Sequence, residues 1–265
     1  MTSTTFDTSS DLNTELSRVF SHLRDLSVRD GIQSWDANKW PIDDILPVLQ
    51  QINELAVVLK RECGIKLPPV EAWGGGQFAQ PALFLGEDPF HNLEKLHAAA
   101  PYLELQCLYR GRQGFGFTPV SEEIQTEAIK TAANKGVKVF RIFDMMNDLK
   151  NLEHGYNAVN AYKKEHPGTG VVLEGAVAYI SEPENGKGRA WTLEEYANFA
   201  VKLAKKGANE IAIKEKLEPS KEEVEKEVEA LMKHYQDADK TRATIYVEQF
   251  MTNDMVWKFL EETAK

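Results

Sequence analysis

Apolar positions along the chain follow two rhythms that alternate. One repeats every three to four residues and reads as amphipathic helix; the other is a short dense run and reads as buried strand. The hand-over is punctuated by glycine. Helical patterns end at Gly64, Gly136 and Gly207, and apolar runs begin a few residues later at Val70-Glu71-Ala72-Trp73, at Val137 to Phe143 and at Ile211-Ala212-Ile213. Glycine takes the left-handed helix cap without steric cost, so this spacing predicts helix followed by strand. Further strand candidates are Leu26 to Asp30, Leu103 to Tyr109, Val171 to Tyr179 and Thr244 to Phe250. Thr192 with Glu195, and Ser220 with Glu223, have the spacing of capping boxes that open helices. In the second of these helices Val224, Val228, Leu231 and Met232 share one face, which leaves its many charges as a solvated side.

Strand and helix in alternation predict an α/β fold with a parallel sheet, of the TIM-type (β/α) barrel kind. The pattern supplies about seven strands, one short of closure, so the barrel is expected to be incomplete. An open doubly wound sheet is the structural alternative. Residues 1–25 are expected to form a flexible, Ser- and Thr-rich start and a leading helix carrying Leu12, Leu16, Val19, Phe20 and Leu23; residues 26–265 form the barrel domain. An open barrel leaves an apolar seam, which the leading helix or another subunit would cover. A homo- or hetero-oligomer is therefore expected.

Composition narrows the partners. The 265 residues are 42% hydrophobic and 27% charged, enough for a substantial core, and the formal net charge of -10 disfavours nucleic acid and anionic membranes. Cys63 and Cys107 have no paired spacing and read as packing residues of a reducing compartment. No secretory signal pattern opens the chain and no apolar stretch reaches the ~20 residues of a bilayer span, so a cytoplasmic location is expected.

Chemistry is expected where strands end. Asp30 follows a strand candidate and could bind a divalent metal, although Asp-Gly is also an ordinary turn. Gln33 offers a donor and acceptors suited to a carboxylate or keto group. Glu71 is a charge inside an apolar strand and requires a partner, Arg29 or Arg141. Gly74-Gly75-Gly76 lets backbone approach a ligand or adopt special torsions, without the spacing of a nucleotide loop. Arg110 ends a strand, where it could clamp a carboxylate in two-point fashion or simply face solvent. Asp144, Asn147 and Asp148 follow the most apolar strand. Lys214 closes a buried run, a setting that lowers an amine pKa and favours Schiff-base formation or carbamylation, against the common alternative of reaching to solvent. The six histidines are scattered without ligand-pair spacing, and no serine or cysteine occupies a nucleophile turn.

Taken together, Arg29-Asp30-Gly31-Ile32-Gln33-Ser34, Glu71-Ala72-Trp73-Gly74-Gly75, Leu85-Gly86-Glu87-Asp88-Pro89-Phe90, Leu108-Tyr109-Arg110-Gly111 and Phe140 to Asp148 resemble the carboxyltransferase domain of biotin-dependent enzymes, over Leu26 to Lys214. That family includes pyruvate carboxylase, the oxaloacetate decarboxylase alpha subunit and the transcarboxylase 5S subunit. The resemblance implies a TIM barrel, a divalent metal (zinc, manganese or magnesium), a small 2-oxo acid such as pyruvate or oxaloacetate, and biotin on a separate carrier protein. By position Asp30 resembles the metal aspartate, Lys214 the lysine that becomes carbamylated, and Gln33 and Arg110 the residues that hold the 2-oxo acid. The metal would stabilise the enolate as a Lewis acid. The chain departs from the family pattern with Ile32 before the glutamine and Glu215 after the lysine. Glu248 and Phe250 stand where a His-x-His pair belongs; Glu248 can ligate a hard metal and Phe250 cannot. Two other readings stand beside this one: a degenerate noncatalytic subunit that keeps the scaffold, and another metal-dependent carbon-carbon lyase or aldolase.

Overall fold

The computed structural model describes residues 20, 23–178, 190–214, 226, 230 and 244–248. The predicted leading helix and the helix opened by Ser220 lie outside them. Six strands follow one another in sheet order as in sequence: β1 (Val70–Gly74), β2 (Leu105–Arg110), β3 (Val137–Phe143), β4 (Val172–Ala178), β5 (Glu210–Lys214) and β6 (Thr244–Glu248). The pairs β1–β2, β4–β5 and β5–β6 are parallel, which accords with helices intervening between most of them. Closure into a barrel is not seen among the described residues.

The strand predicted over Leu26 to Asp30 is replaced by a π-helical turn, Ser27–Gly31. A backbone hydrogen bond from Glu71 N to Asp25 O at 2.9 Å joins the residue just before this stretch to β1. Asp25 Oδ1 then accepts from Ser27 N at 2.8 Å. Leu26 O gathers the amides of Arg29, Asp30 and Gly31 at 3.2, 2.8 and 3.1 Å. The polar Asp25 and Ser27 thus turn the chain before a ladder can form.

The chain groups into two compact units, Met1–Phe140 with His166–Val171, and Arg141–Glu165 with Val172–Lys265. In the first, helix Ile42–Cys63 buries Ile42, Ile45, Leu49, Ala56 and Leu59 and stops at Gly64, whose φ of 71° only glycine adopts cheaply. Every residue of β1 is buried. Trp73 is fully buried, with its ring 5.5, 5.4 and 4.7 Å from those of Phe78, Phe90 and Phe115, and its Nε1 donates to Pro89 O at 2.9 Å. Burying such a side chain contributes about 2 to 3 kcal/mol. Cys107 is buried in this core and Cys63 is half-buried, and neither is in a disulfide.

In the second unit, helix Leu149–Glu165 presents Leu152, Tyr156, Val159 and Tyr162 inward, and helix Leu193–Lys205 buries Tyr196, Phe199 and Leu203. A Cβ on Gly175 of β4 would overlap the Tyr156 hydroxyl, so glycine sets that approach. Arg141 and Glu174, both fully buried, form an ion pair between β3 and β4. Asn147 clamps the end of β4, donating to Ala178 O and accepting from Ala178 N, each at 2.8 Å. Asp144 accepts from the amides of Met146 and Asp148 and from Asn151 Nδ2, each at 3.0 Å. This segment is a turn-forming device at the end of β3.

Candidate active site

Arg29, Asp30, Gln33 and Arg110 gather in the first unit, around the C-terminal ends of β1 and β2. Arg29 is the hub. Its Nη1 donates to Asp30 Oδ1 at 2.6 Å and its Nη2 pairs with Glu71, so the buried charge in β1 has the partner expected of it. Gln106 Nε2 donates to the second Glu71 oxygen at 2.5 Å, and Arg24 reaches Gln106. Arg29 and Glu71 are almost wholly excluded from solvent, and Asp30 is 8% exposed. Two carboxyl groups on one guanidinium partner the polar atoms that burial would otherwise penalise.

Three consecutive glycines build the floor, and each faces a different neighbour. A Cβ on Gly74 would overlap the backbone of Leu108 in β2, and its φ is 85°. At Gly75 the same atom would lie 3.1 Å from Arg110 Nη2 and 3.3 Å from its Cζ, so the guanidinium lies across bare backbone. Phe117 takes the other side of Arg110, its ring centroid 4.7 Å from Cζ, and Gly116 O accepts from Arg110 Nη1 at 3.4 Å. At Gly76 a Cβ would overlap Asn38 Nδ2 and stand 3.0 Å from Gln33 Oε1. Asn38 Nδ2 donates to Gln33 Oε1 at 3.4 Å.

The Arg110 pKa is lowered, first by burial and then by the Arg29 charge, while the Asp30 carboxylate opposes that shift. Arginine stays charged regardless. The formal charges of Arg29, Asp30, Glu71 and Arg110 sum to zero, and Arg110, at the strand end, is the residue of the four that is only partly buried. Such a position suits a carboxylate ligand. An apolar groove of about 370 Å³ borders it, lined by Phe78, Leu83, Tyr109, Phe115, Phe117 and Ile124. Burial, and secondarily Cys107, raises the Tyr109 hydroxyl pKa, and that hydroxyl donates to Gln125 at 2.7 Å.

Lys214 and Glu248 belong to the second unit, at the C-terminal ends of β5 and β6, and are register partners across that parallel pair. Lys214 Nζ stands 5.2 Å from the Phe143 ring centroid, a cation–π arrangement. Among the described residues no three His, Cys, Asp or Glu side chains gather into a metal-binding group. Asn38 escaped the reading of the sequence. Its signal is local: Ala37 and Asn38 both have left-handed torsions, φ 49° and 58°, and asparagine is enriched there.

A parallel α/β sheet with arginine, glutamine and an aspartate–arginine pair at its strand ends resembles the carboxyltransferase domain of biotin-dependent carboxylases, and homology supports that class. The chain is 29% identical over 193 residues to the methylmalonyl-CoA carboxyltransferase 5S subunit of Propionibacterium freudenreichii subsp. shermanii, covering 73% of this chain and 34% of that protein. It is 28% identical over 193 residues to the 2-oxoglutarate carboxylase large subunit of Hydrogenobacter thermophilus, covering 73% and 26%. Among solved structures, the carboxyl transferase domain from Rhizobium etli pyruvate carboxylase superposes with a TM-score of 0.67 at 27% identity, over 87% of this chain and 36% of that one. The same domain with oxamate and biotin gives 0.66 at 28%. The chain thus spans between 26% and 36% of the length of these relatives. No protein-family model matches it.

Proposed function

We propose that residues 26–265 form a TIM-type barrel, incomplete in its strand count, that binds a small 2-oxo acid at Arg110 and Gln33 and exchanges its carboxylate with biotin on a separate carrier. The observation that carries this reading is the Arg110 guanidinium laid across Gly75, with Gln33 over Gly76 beside the Arg29–Asp30 pair. Arg110 would hold the ligand carboxylate in two-point fashion and Gln33 would donate to the keto oxygen. When the carbon–carbon bond to the departing carboxylate breaks, its electrons would end on that oxygen as an enolate, the carboxyl carbon would bond to the biotin ureido nitrogen as that nitrogen loses its proton, and the enolate carbon would take up that proton. The Gln33 amide would donate to that oxygen and stabilise the developing charge. Pyruvate and biocytin are bound in a Rhizobium etli relative, which supports the ligand class.

The residues do not fit the divalent centre that the resemblance implies. Asp30, Lys214 and Glu248 would be its ligands, but Asp30 already shares an oxygen with Arg29, Lys214 lies over an aromatic face as a cation would, and Phe250 has no donor atom. This mismatch also favours the second reading, a noncatalytic scaffold subunit that keeps the 2-oxo acid pocket or loses it.

The two are separated by incubating the protein with oxaloacetate and free biotin while titrating oxamate by calorimetry. Turnover that falls at least about tenfold in kcat/KM in Arg110→Lys, where two-point pairing is lost, supports the carboxyltransferase reading. Oxamate binding without turnover supports the scaffold; neither binding nor turnover removes the 2-oxo acid site. As a partner we propose a biotin carrier protein, and as an assembly a homo- or hetero-oligomer. Trp35, Leu83 and Phe84 are 81%, 70% and 61% exposed, apolar area that association would cover. Among the described residues no helix is long and apolar enough to cross a membrane.

A further inference from the structure

The Gln33 amide can face a ligand with its NH2 or with its oxygen, and the difference decides whether it attracts or repels the keto oxygen of a 2-oxo acid. Three observations bear on which face is shown. Asn38 Nδ2 donates to Gln33 Oε1 at 3.4 Å, which occupies the oxygen and turns the NH2 the other way. Asn38 is wholly buried, so its end of this part-buried contact is shielded from water while Gln33 is half-buried. Its own Oδ1 is buried with no hydrogen-bond partner among the described residues, a cost that an amide at this position incurs.

Backbone torsion alone does not explain an asparagine here. Asn38 follows Ala37 in the left-handed region, where glycine would be the less strained choice. Gly76 is also shaped to the Asn38 amide, since any Cβ there would displace Nδ2. A left-handed residue with a buried, half-satisfied amide, seated over a glycine, is organised around its NH2.

We infer that Asn38 is a positioning residue that holds the Gln33 amide with its NH2 toward the ligand, making the pocket a donor surface of Arg110 and Gln33 selective for a carboxylate-bearing 2-oxo acid. The inference rests on the proposed 2-oxo acid site. It goes beyond that reading in assigning a residue that never touches ligand.

Two substitutions keep the backbone. Asn38→Gly tolerates φ 58° and removes the amide; Asn38→Asp also tolerates it but presents oxygen to Gln33 Oε1 and so rotates the Gln33 amide. Oxamate is titrated into the full chain, and the Asn38→Asp effect is measured again in a Gln33→Ala background. Expected are affinity losses of about tenfold in Asn38→Gly and more in Asn38→Asp, with no further loss from Asn38→Asp once Gln33 is alanine. Gly76→Ala should weaken oxamate in the wild-type background and lose most of that effect when Asn38 is glycine. Unchanged affinity in Asn38→Asp, or an equal loss with and without the Gln33 side chain, would overturn the inference.

A neutron crystal structure of the ligand-free protein separates this from the site assignment. Amide deuterons on the Gln33 atom facing Asn38 overturn the positioning role even where oxamate binds. Deuterons on the opposite atom, in a wild type that does not bind oxamate, uphold the orientation and defeat the 2-oxo acid reading.

Discussion

Glu71 is the residue on which the first unit's polar interior turns. It sits in a strand buried at every position, and its two oxygens are taken by Arg29 and Gln106. Removing its charge takes a carboxylate partner from Arg29 in a place water does not reach. Glu71→Leu should destabilise the fold by about 3 kcal/mol or more, read from the urea midpoint; a loss under about 0.5 kcal/mol would mean that the pair is not a true buried ion pair. This partnership was legible in the sequence, because an isolated acid among Val70, Ala72 and Trp73 has to be neutralised and Arg29 was one of two arginines proposed for it. The seat of Asn38 was not. It depends on Gly76, far along the chain, and no periodicity links the two.

Elements were legible where punctuation and packing agree. Gly64, Gly136 and Gly207 all take positive φ, 71°, 114° and 102°, and β1, β3 and β5 start soon after each. Six of the seven expected strands occur. The first failed because its apolar residues alternate with Asp25 and Ser27, whose local hydrogen bonds outcompete a ladder. Thr192 behaves as its spacing foretold: its hydroxyl accepts from Glu195 N at 3.2 Å and Glu195 Oε2 accepts from Thr192 N at 2.8 Å. Thr192→Ala should therefore cost about 1 kcal/mol of stability, seen as a lower thermal midpoint, whereas the same change at half-buried Thr126, inside helix Glu122–Asn134 and away from its N-cap, should matter less. No difference between them would argue that the box is redundant.

At the scale of the molecule, the chain places the proposed 2-oxo acid pocket in one unit and the lysine and glutamate strand ends in the other. Residue pattern announced the sheet because βα alternation is a long-range regularity. It was weaker on the metal, because ligation requires several side chains to converge and only Asp30 and Lys214 matched by position. Elemental analysis of purified protein should find no stoichiometric zinc, manganese or magnesium. One tightly held ion per chain would overturn the mismatch and restore a metal to the reading.

The tripeptide Gly74-Gly75-Gly76 has a consequence for how this chain can drift through generations. Its members abut Leu108, Arg110 and Asn38 respectively, so a change at each injures something different: the weld between two strands, the seat of the cation, the orientation of an amide. Every amino acid that a single base change can put in place of glycine adds at least a methyl group. A descendant freed from its chemistry would be expected to lose the second and third glycines first and keep the one that welds the strands. Inspecting those three letters in any close relative is therefore a quick guide to whether its pocket is still in use.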